Sequence, residues 1–374
     1  MSQVFFGNFN FEYLLAGGNY SSLPASIQRI NAELATCWML VAQEGDYLVL
    51  PQTVDEEFWD RMQLAGFPSV NPILLGKSLP SKSLHFTPWG WTKELIQFAE
   101  KNRLEFHAPS LEAVQQANSR KFSALLEEEF QVALPEARMV TSFEEFSKAV
   151  QQLPAENPRW VVKNEFSNSA RERIIGQGTN IIEAEQNWMT KRWKKNSPLF
   201  FEPWVNAIEE AGIHFTIPTK EEAEKEIVFD GVTPLLTDAS GRYCGSRVVP
   251  HNNNAFISTW QTAIEVGFQV ATRLQAIGYF GPVGIDAMRF RQLDGSVGLR
   301  PLQEINARWT MGRLTLGLRK LLQPEEVASW LHLSSAENLS QQSKWNNVQT
   351  IPTSPTHIGN KPVQHQTLLC IAKE

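Results

Sequence analysis

The sequence predicts an α/β protein of two or three domains. Its 374 residues are enough for more than one hydrophobic core. In the first third, short apolar runs alternate with helical patterns, the signature of an open α/β layer. Further on, two strand patterns, Ile285 to Phe290 and Val297 to Ile305, flank the turn dipeptide Asp294-Gly295 and read as one hairpin.

The first unit runs from residue 1 to about 117. Trp38-Met39-Leu40-Val41 and Tyr47 to Pro51 read as apolar strands, and Glu56 to Ala65 and Thr92 to Lys101 as helices. Asn118-Ser119 offers an N-cap for a helix reaching Glu129. A helix from Ser142 to Gln152 precedes a strand, Trp160 to Lys163, and a polar loop, Asn164 to Thr179, expected to act as a lid. Leu199 to Val205 reads as a strand running into a connector, followed by strands Ile213 to Pro218 and Ile227 to Leu236. Gly267 to Gly278 is an amphipathic helix ended by glycine, and another helix falls near Thr315 to Leu322. Residues 335 to 367, rich in Ser, Gln, Asn, Pro and Thr, read as a surface wrap or tail. Leu368 to Ala372 reads as an edge strand.

Composition narrows the function classes. Hydrophobic content of 42% and charged content of 20% are ordinary for a globular protein. A net charge of −6 gives no general attraction to nucleic acid or anionic membrane. No apolar run approaches the ~18 residues of a membrane span. Met1 to Phe11 lacks a signal-peptide pattern, and the three cysteines are scattered, so a reducing cytoplasm is expected. Seven histidines show no zinc-ligand spacing.

The chemistry concentrates in the hairpin. Side chains alternate along a strand, so Glu304 and Asn306 share a face, and a turn centred on Gly295 places Asp286 opposite Glu304. Two carboxylates and an amide oxygen are hard ligands that suit Mg²⁺ held against phosphates. Lys163 ends an apolar strand and opens a loop holding Ser167, Ser169, Arg171, Arg173, Gly176 and Gly178, a setting that suits phosphate contact. Lys121 follows the Asn-Ser cap. Arg247 and Arg300 lie on strands and either bind a substrate carboxylate or form strand-face ion pairs. His214 and His251 read as structural, and Pro88-Trp89-Gly90-Trp91 as a packed turn.

In order along the chain, Lys121, Lys163, the small-residue loop, Glu202-x-x-Val205, Asp286 and Glu304-x-Asn306-x-Arg308 resemble the ATP-grasp superfamily over residues 110 to 320. The Asp…Glu-x-Asn-x-Arg hairpin, as in D-alanine–D-alanine ligase and biotin carboxylase, is its most specific part. The resemblance implies a Rossmann-like pre-ATP-grasp domain (1–117), a small lobe (118–196), a large lobe with the metal site (197–334) and a C-terminal wrap (335–374). It implies that Lys121 and Lys163 contact ATP phosphates. Glu202, the Pro203 carbonyl and the Val205 N–H would read adenine, and Glu209 or Glu210 would hold ribose. Asp286, Glu304 and Asn306 would hold Mg²⁺, and Arg308 would face the γ-phosphate or an acyl-phosphate. One departure is that the family loop is glycine-rich near the position of Ala170, whereas Gly176 and Gly178 come late.

The resemblance implies ATP-dependent joining of a small carboxylate to an amine or thiol, with a homodimer as one possible assembly. An ATP-grasp phosphotransferase and a non-catalytic nucleotide-binding scaffold are the alternatives. Neither nucleic acid nor membrane is an expected partner.

Overall fold

Parallel strands need crossover helices between them, and the first unit supplies both. In the structure, a computed structural model, β1 (Ser2–Phe6), β2 (Tyr47–Leu50), β3 (Asn71–Leu74) and β4 (Leu84–Pro88) form a parallel sheet in the order β3-β2-β1-β4. The structure describes residues 1–80, 83–166, 172–222, 225–250, 253–323, 325–334 and 348–373. Val4, Phe6, Leu84 and Phe86 share one buried core with Leu95 and Ala99 of the helix Lys93–Lys101. Trp38 to Leu40 corrects the expectation of a strand, because it belongs to a 3₁₀ turn, Ala35–Leu40. An apolar run buried on all sides carries no period that separates strand from helix. Trp38 is fully buried and stacks on Phe5, ring centroids 4.8 Å apart.

The next unit is an antiparallel sheet of β5 (Arg138–Val140), β6 (Arg159–Lys163), β7 (Arg173–Gln177) and β8 (Leu199–Pro203), ordered β5-β8-β6-β7. Helices Phe143–Gln151 and Glu183–Trp193 cover it, burying Phe146, Trp160, Met189 and Phe201 together. Ser142 caps the first of these helices by accepting from the Glu145 N–H. The expected lid is shortened here, because its second half is the edge strand β7. Ser167, Ser169 and Arg171 lie outside the described residues. Gly176 is in β7 because of packing, since a Cβ there would sit 2.0 Å from the Trp160 ring. Gly176→Ala is therefore expected to destabilise the protein by about 1–3 kcal/mol. Gly178→Ala, with open space around it and φ of +61°, should cost only about 1 kcal/mol. Thermal unfolding of the two variants checks the order, and equal effects would remove the packing explanation.

The largest sheet is antiparallel. Its strands are β9 (Asn206–Ile217), β10 (Val228–Thr237), β11 (Tyr243–Val248), β12 (Gly281–Arg291), β13 (Val297–Asn306), β14 (Glu326–Ser334), β15 (Gln349–Pro352) and, past the short ribbon β16 (His357–Ile358) and β17 (Lys361–Pro362), β18 (His365–Lys373). The order is β13-β12-β9-β10-β11-β14-β18-β15. Residues 368–372 are thus in a strand but not at an edge, since β18 pairs with β14 on one side and β15 on the other. The apolar set Ile213, Phe215, Val283 and Ile285 is buried in the same core as the helix Gln261–Ala276. Its Gly267 lets that helix approach Phe215, where a Cβ would lie 2.5 Å from the ring. The opposite face carries the polar residues of the site.

Candidate active site

The hairpin β12–β13 sets the site. Asp286 pairs directly with Glu304, and Gly284 with Asn306. Gly295, at φ +84°, supports the connecting turn. The Asn306 amide donates to Asp286 Oδ2 at 3.1 Å, and its own oxygen accepts from Arg308 Nη2 at 3.0 Å. Burial, then the neighbouring carboxylates Glu304 and Glu210, push the Asp286 carboxyl up to about 7. The face therefore holds more negative charge than its surroundings offset. A divalent cation fits such a set, provided the Asn306 amide turns over to present its oxygen. Among the described residues, no three His, Cys, Asp or Glu side chains form a complete metal shell. The remaining ligands would come from phosphate and water, as suits Mg²⁺.

Two cations flank this face. Arg120, first in the helix Arg120–Glu129, donates to Glu304 Oε1 at 2.8 Å. Lys121, the residue expected there, is exposed, and its charge acts on Glu165. The other cation is Lys163, buried at the end of β6 and 2.7 Å from Glu202 Oε2. Burial lowers the lysine's pKa, and Glu202 opposes that shift.

Lys163 and Glu202 belong to a buried quartet. Arg300 on β13 donates to both oxygens of Glu202, at 2.9 and 3.2 Å. It also donates to both oxygens of Glu127, at 2.9 and 3.2 Å. Burial opposes ionisation of Glu202, but Arg300 and Lys163 overcome it and hold the carboxyl well below its usual range. Burial pushes Glu127 up to about 7 despite the same arginine. Of the two readings of Arg300, the ion pair is the one seen. Arg247 is exposed on β11.

Arg308 closes the far side. Its Nε meets the Glu12 carboxylate from the helix Phe11–Leu15, its Nη1 donates to the Trp309 carbonyl at 2.8 Å, and its guanidinium lies 5.6 Å from the Trp89 ring. Open α/β sheets usually bind ligands beyond the carboxyl ends of their strands. Here the segment that follows β1 takes up part of that crevice. Phe9 packs on Trp89 at 4.7 Å, and a Cβ on Gly90 would meet Phe11 at 2.5 Å.

No protein-family model matches the sequence, and no curated protein matches it. Solved structures do resemble the fold. A carboxyaminoimidazole ribonucleotide synthase from Aspergillus clavatus, complexed with ATP, aligns with a TM-score of 0.52 at 13% identity, covering 100% of this chain and 94% of that one. A biotin carboxylase from Campylobacter jejuni gives 0.53 at 11%, covering 92% and 85%. N5-carboxyaminoimidazole synthetase from Staphylococcus aureus gives 0.51 at 10%, covering 98% and 93%. The chain has the ATP-grasp fold.

Trp204 and Val205 connect β8 to β9, and with them the four-stranded sheet to the eight-stranded one, and the Asn157 amide fixes this connector by donating to the Trp204 carbonyl at 2.8 Å. Arg159 lies 5.0 Å from the Trp204 ring. Glu202 points away from this connector into the quartet. Both its oxygens are already held by cations, Lys163 and Arg300. Glu210 accepts from Thr237 at 2.6 Å and lies near Gln303 on the acidic face. Glu209 pairs with Arg289 at 2.7 Å. His214 is buried under the site, donating to or accepting from Thr233 at 2.7 Å, in space left by Gly212, Gly284 and Gly312. Burial pushes it down to about 3, so it stays neutral as a structural group. His251 lies outside the described residues.

Sequence reasoning missed Arg120, Glu127 and Glu12. A signal existed for the first two. Arg120 and Glu127 are seven residues apart on one helix, two turns on the same stripe, along with Ser123. No comparable signal marks Glu12.

Proposed function

We propose that the chain is an ATP-dependent ligase that joins a small carboxylate to an amine or thiol. The observation that carries this reading is the register of Asp286 against Glu304, with Asn306, Arg120, Lys163 and Arg308 around one face of an ATP-grasp fold. In this reading a carboxylate oxygen attacks the γ-phosphorus of ATP. The bond to the bridging oxygen breaks, ADP leaves, and an acyl-phosphate forms. The nucleophile then attacks the acyl carbon, loses its proton and displaces phosphate.

Asp286, Glu304 and Asn306 would hold Mg²⁺, which when bound neutralises phosphate charge. Lys163 and Arg120 position the phosphates, Arg308 faces the acyl-phosphate, and Pro203 and Val205 present backbone groups to adenine. Positioning and charge neutralisation suffice, and no side-chain nucleophile is needed. A reducing cytoplasm suits Cys37 and Cys370, which are free thiols. The assembly proposed is a homodimer.

The deciding experiment measures ADP release over a panel of carboxylic acids with hydroxylamine as nucleophile. Hydroxamate formed in step with ADP is the expected result. A stable phosphate ester without hydroxamate would indicate a phosphotransferase, and nucleotide binding without ADP release a scaffold.

Lys163→Ala is expected to weaken ATP by about tenfold to a hundredfold, the worth of a charge-assisted contact of roughly 1.5–3 kcal/mol. Adenosine should bind almost as before. Calorimetric titration of both ligands checks this, and equal weakening would assign the lysine to structure alone.

A further inference from the structure

A cavity of about 410 Å³ lies beside Arg308, between β4 with the turn that follows it and the ends of β9 and β12. Its volume suits a small organic ligand. Trp89, Trp91, Tyr279, Phe280 and Trp309 give it aromatic walls. Tyr279 and Trp89 are buried, and Trp309 is tied to Trp89 by a backbone bond of 3.0 Å, so these walls are pre-formed.

The cavity is lined by two carboxylates, Glu222 and Glu226, and by two cations. Among the described lining residues the lysines and arginines are Arg308 and Lys225. Lys225 is exposed at the rim and already paired with Glu222 at 2.7 Å. Arg308 is the inner cation. A guanidinium has five N–H groups. Trp309 and Asn306 each accept one, from Nη1 and Nη2, while the Glu12 carboxylate lies against Nε, which leaves one N–H on Nη1 and one on Nη2. Two parallel N–H groups match one carboxylate.

We propose that this cavity binds the carboxylate substrate, and that the substrate is a monocarboxylic acid with an aromatic or similarly flat apolar body. This rests on the ligase reading for its role, because Arg308 links the cavity to Asn306 of the candidate metal face. The acid lies with its carboxylate on Arg308 and its body against the tryptophans.

The test uses the full chain and 3-phenylpropanoate, without nucleotide, followed by tryptophan fluorescence and calorimetry. The acid should quench fluorescence and bind at least tenfold more tightly than 3-phenylpropanamide or ribose 5-phosphate. Arg308→Met should abolish the preference for acid over amide. As that variant also strands Glu12, a second one, Val228→Trp, narrows the cavity from an exposed position and should weaken the acid at least tenfold. The proposal is overturned if the amide binds as well as the acid, if phenethylamine or ribose 5-phosphate binds more tightly, or if Val228→Trp leaves the acid's affinity unchanged. A separate titration with Mg²⁺ and ATP judges the ligase reading. Loss of nucleotide binding would sink that reading while the acid titration still decides the cavity.

Discussion

Arg300→Met is expected to lower folding stability by about 3–5 kcal/mol, the cost of leaving buried charges without their partner. The arginine is 2% exposed and holds two carboxylates at once, Glu202 through two contacts and Glu127 through three. Lysine should not rescue it, because one ammonium cannot reproduce two forks. A paired change, Arg300→Leu with Glu127→Leu, should recover most of the loss. It removes one cation and one anion and leaves Lys163 beside Glu202. Urea unfolding of the three variants measures this. If the paired change were as unstable as Arg300→Met, packing rather than charge would explain the quartet.

The second large effect concerns Glu304→Gln. Its side chain is one-third exposed and lies on the polar face, so the fold should tolerate a neutral isostere. Loss of one anionic ligand should lower Mg²⁺-dependent ADP release by at least about a hundredfold, since metal stabilisation of phosphoryl transfer is worth several kcal/mol. The same substitution frees Arg120 from its ion pair, so nucleotide affinity without metal should hold or rise. Turnover with unaltered Mg²⁺ dependence would remove Glu304 from the metal set.

The parts of this protein that could be read from sequence are those whose cause is local. The hairpin is one such part. Its turn dipeptide, its alternation and its Glu-x-Asn spacing lie within residues 281–306, but the strands leave the turn with Arg291 opposite Val297, and it is a bulge between Asp286 and Met288, with no mark in the sequence, that brings Asp286 opposite Glu304. The cap at Ser119 is another, since its hydroxyl accepts from Phe122 three residues on. The quartet is different. Glu127, Lys163, Glu202 and Arg300 come from a helix and three strands in two sheets, and only tertiary packing brings them together. The same limit explains Arg120 and Lys121. Sequence order cannot say which of two adjacent helix residues faces the cleft. The Trp38 segment failed for another reason, because an apolar run without polar interruptions does not declare its period.

The place of β18 bears on how the chain is made. Strand β14 lies between β11 and β18, and β15 pairs with β18. During synthesis β14 emerges well before residues 365–373 exist, and until they leave the ribosome one edge of it offers unpaired backbone groups to any neighbour. Strands β9 to β13 are already made at that stage, whereas β15 still lacks its partner. The nascent protein thus passes through a stage with one open seam. Its yield in a cell then depends on how quickly residues 365–373 are delivered relative to encounters with other unfinished chains.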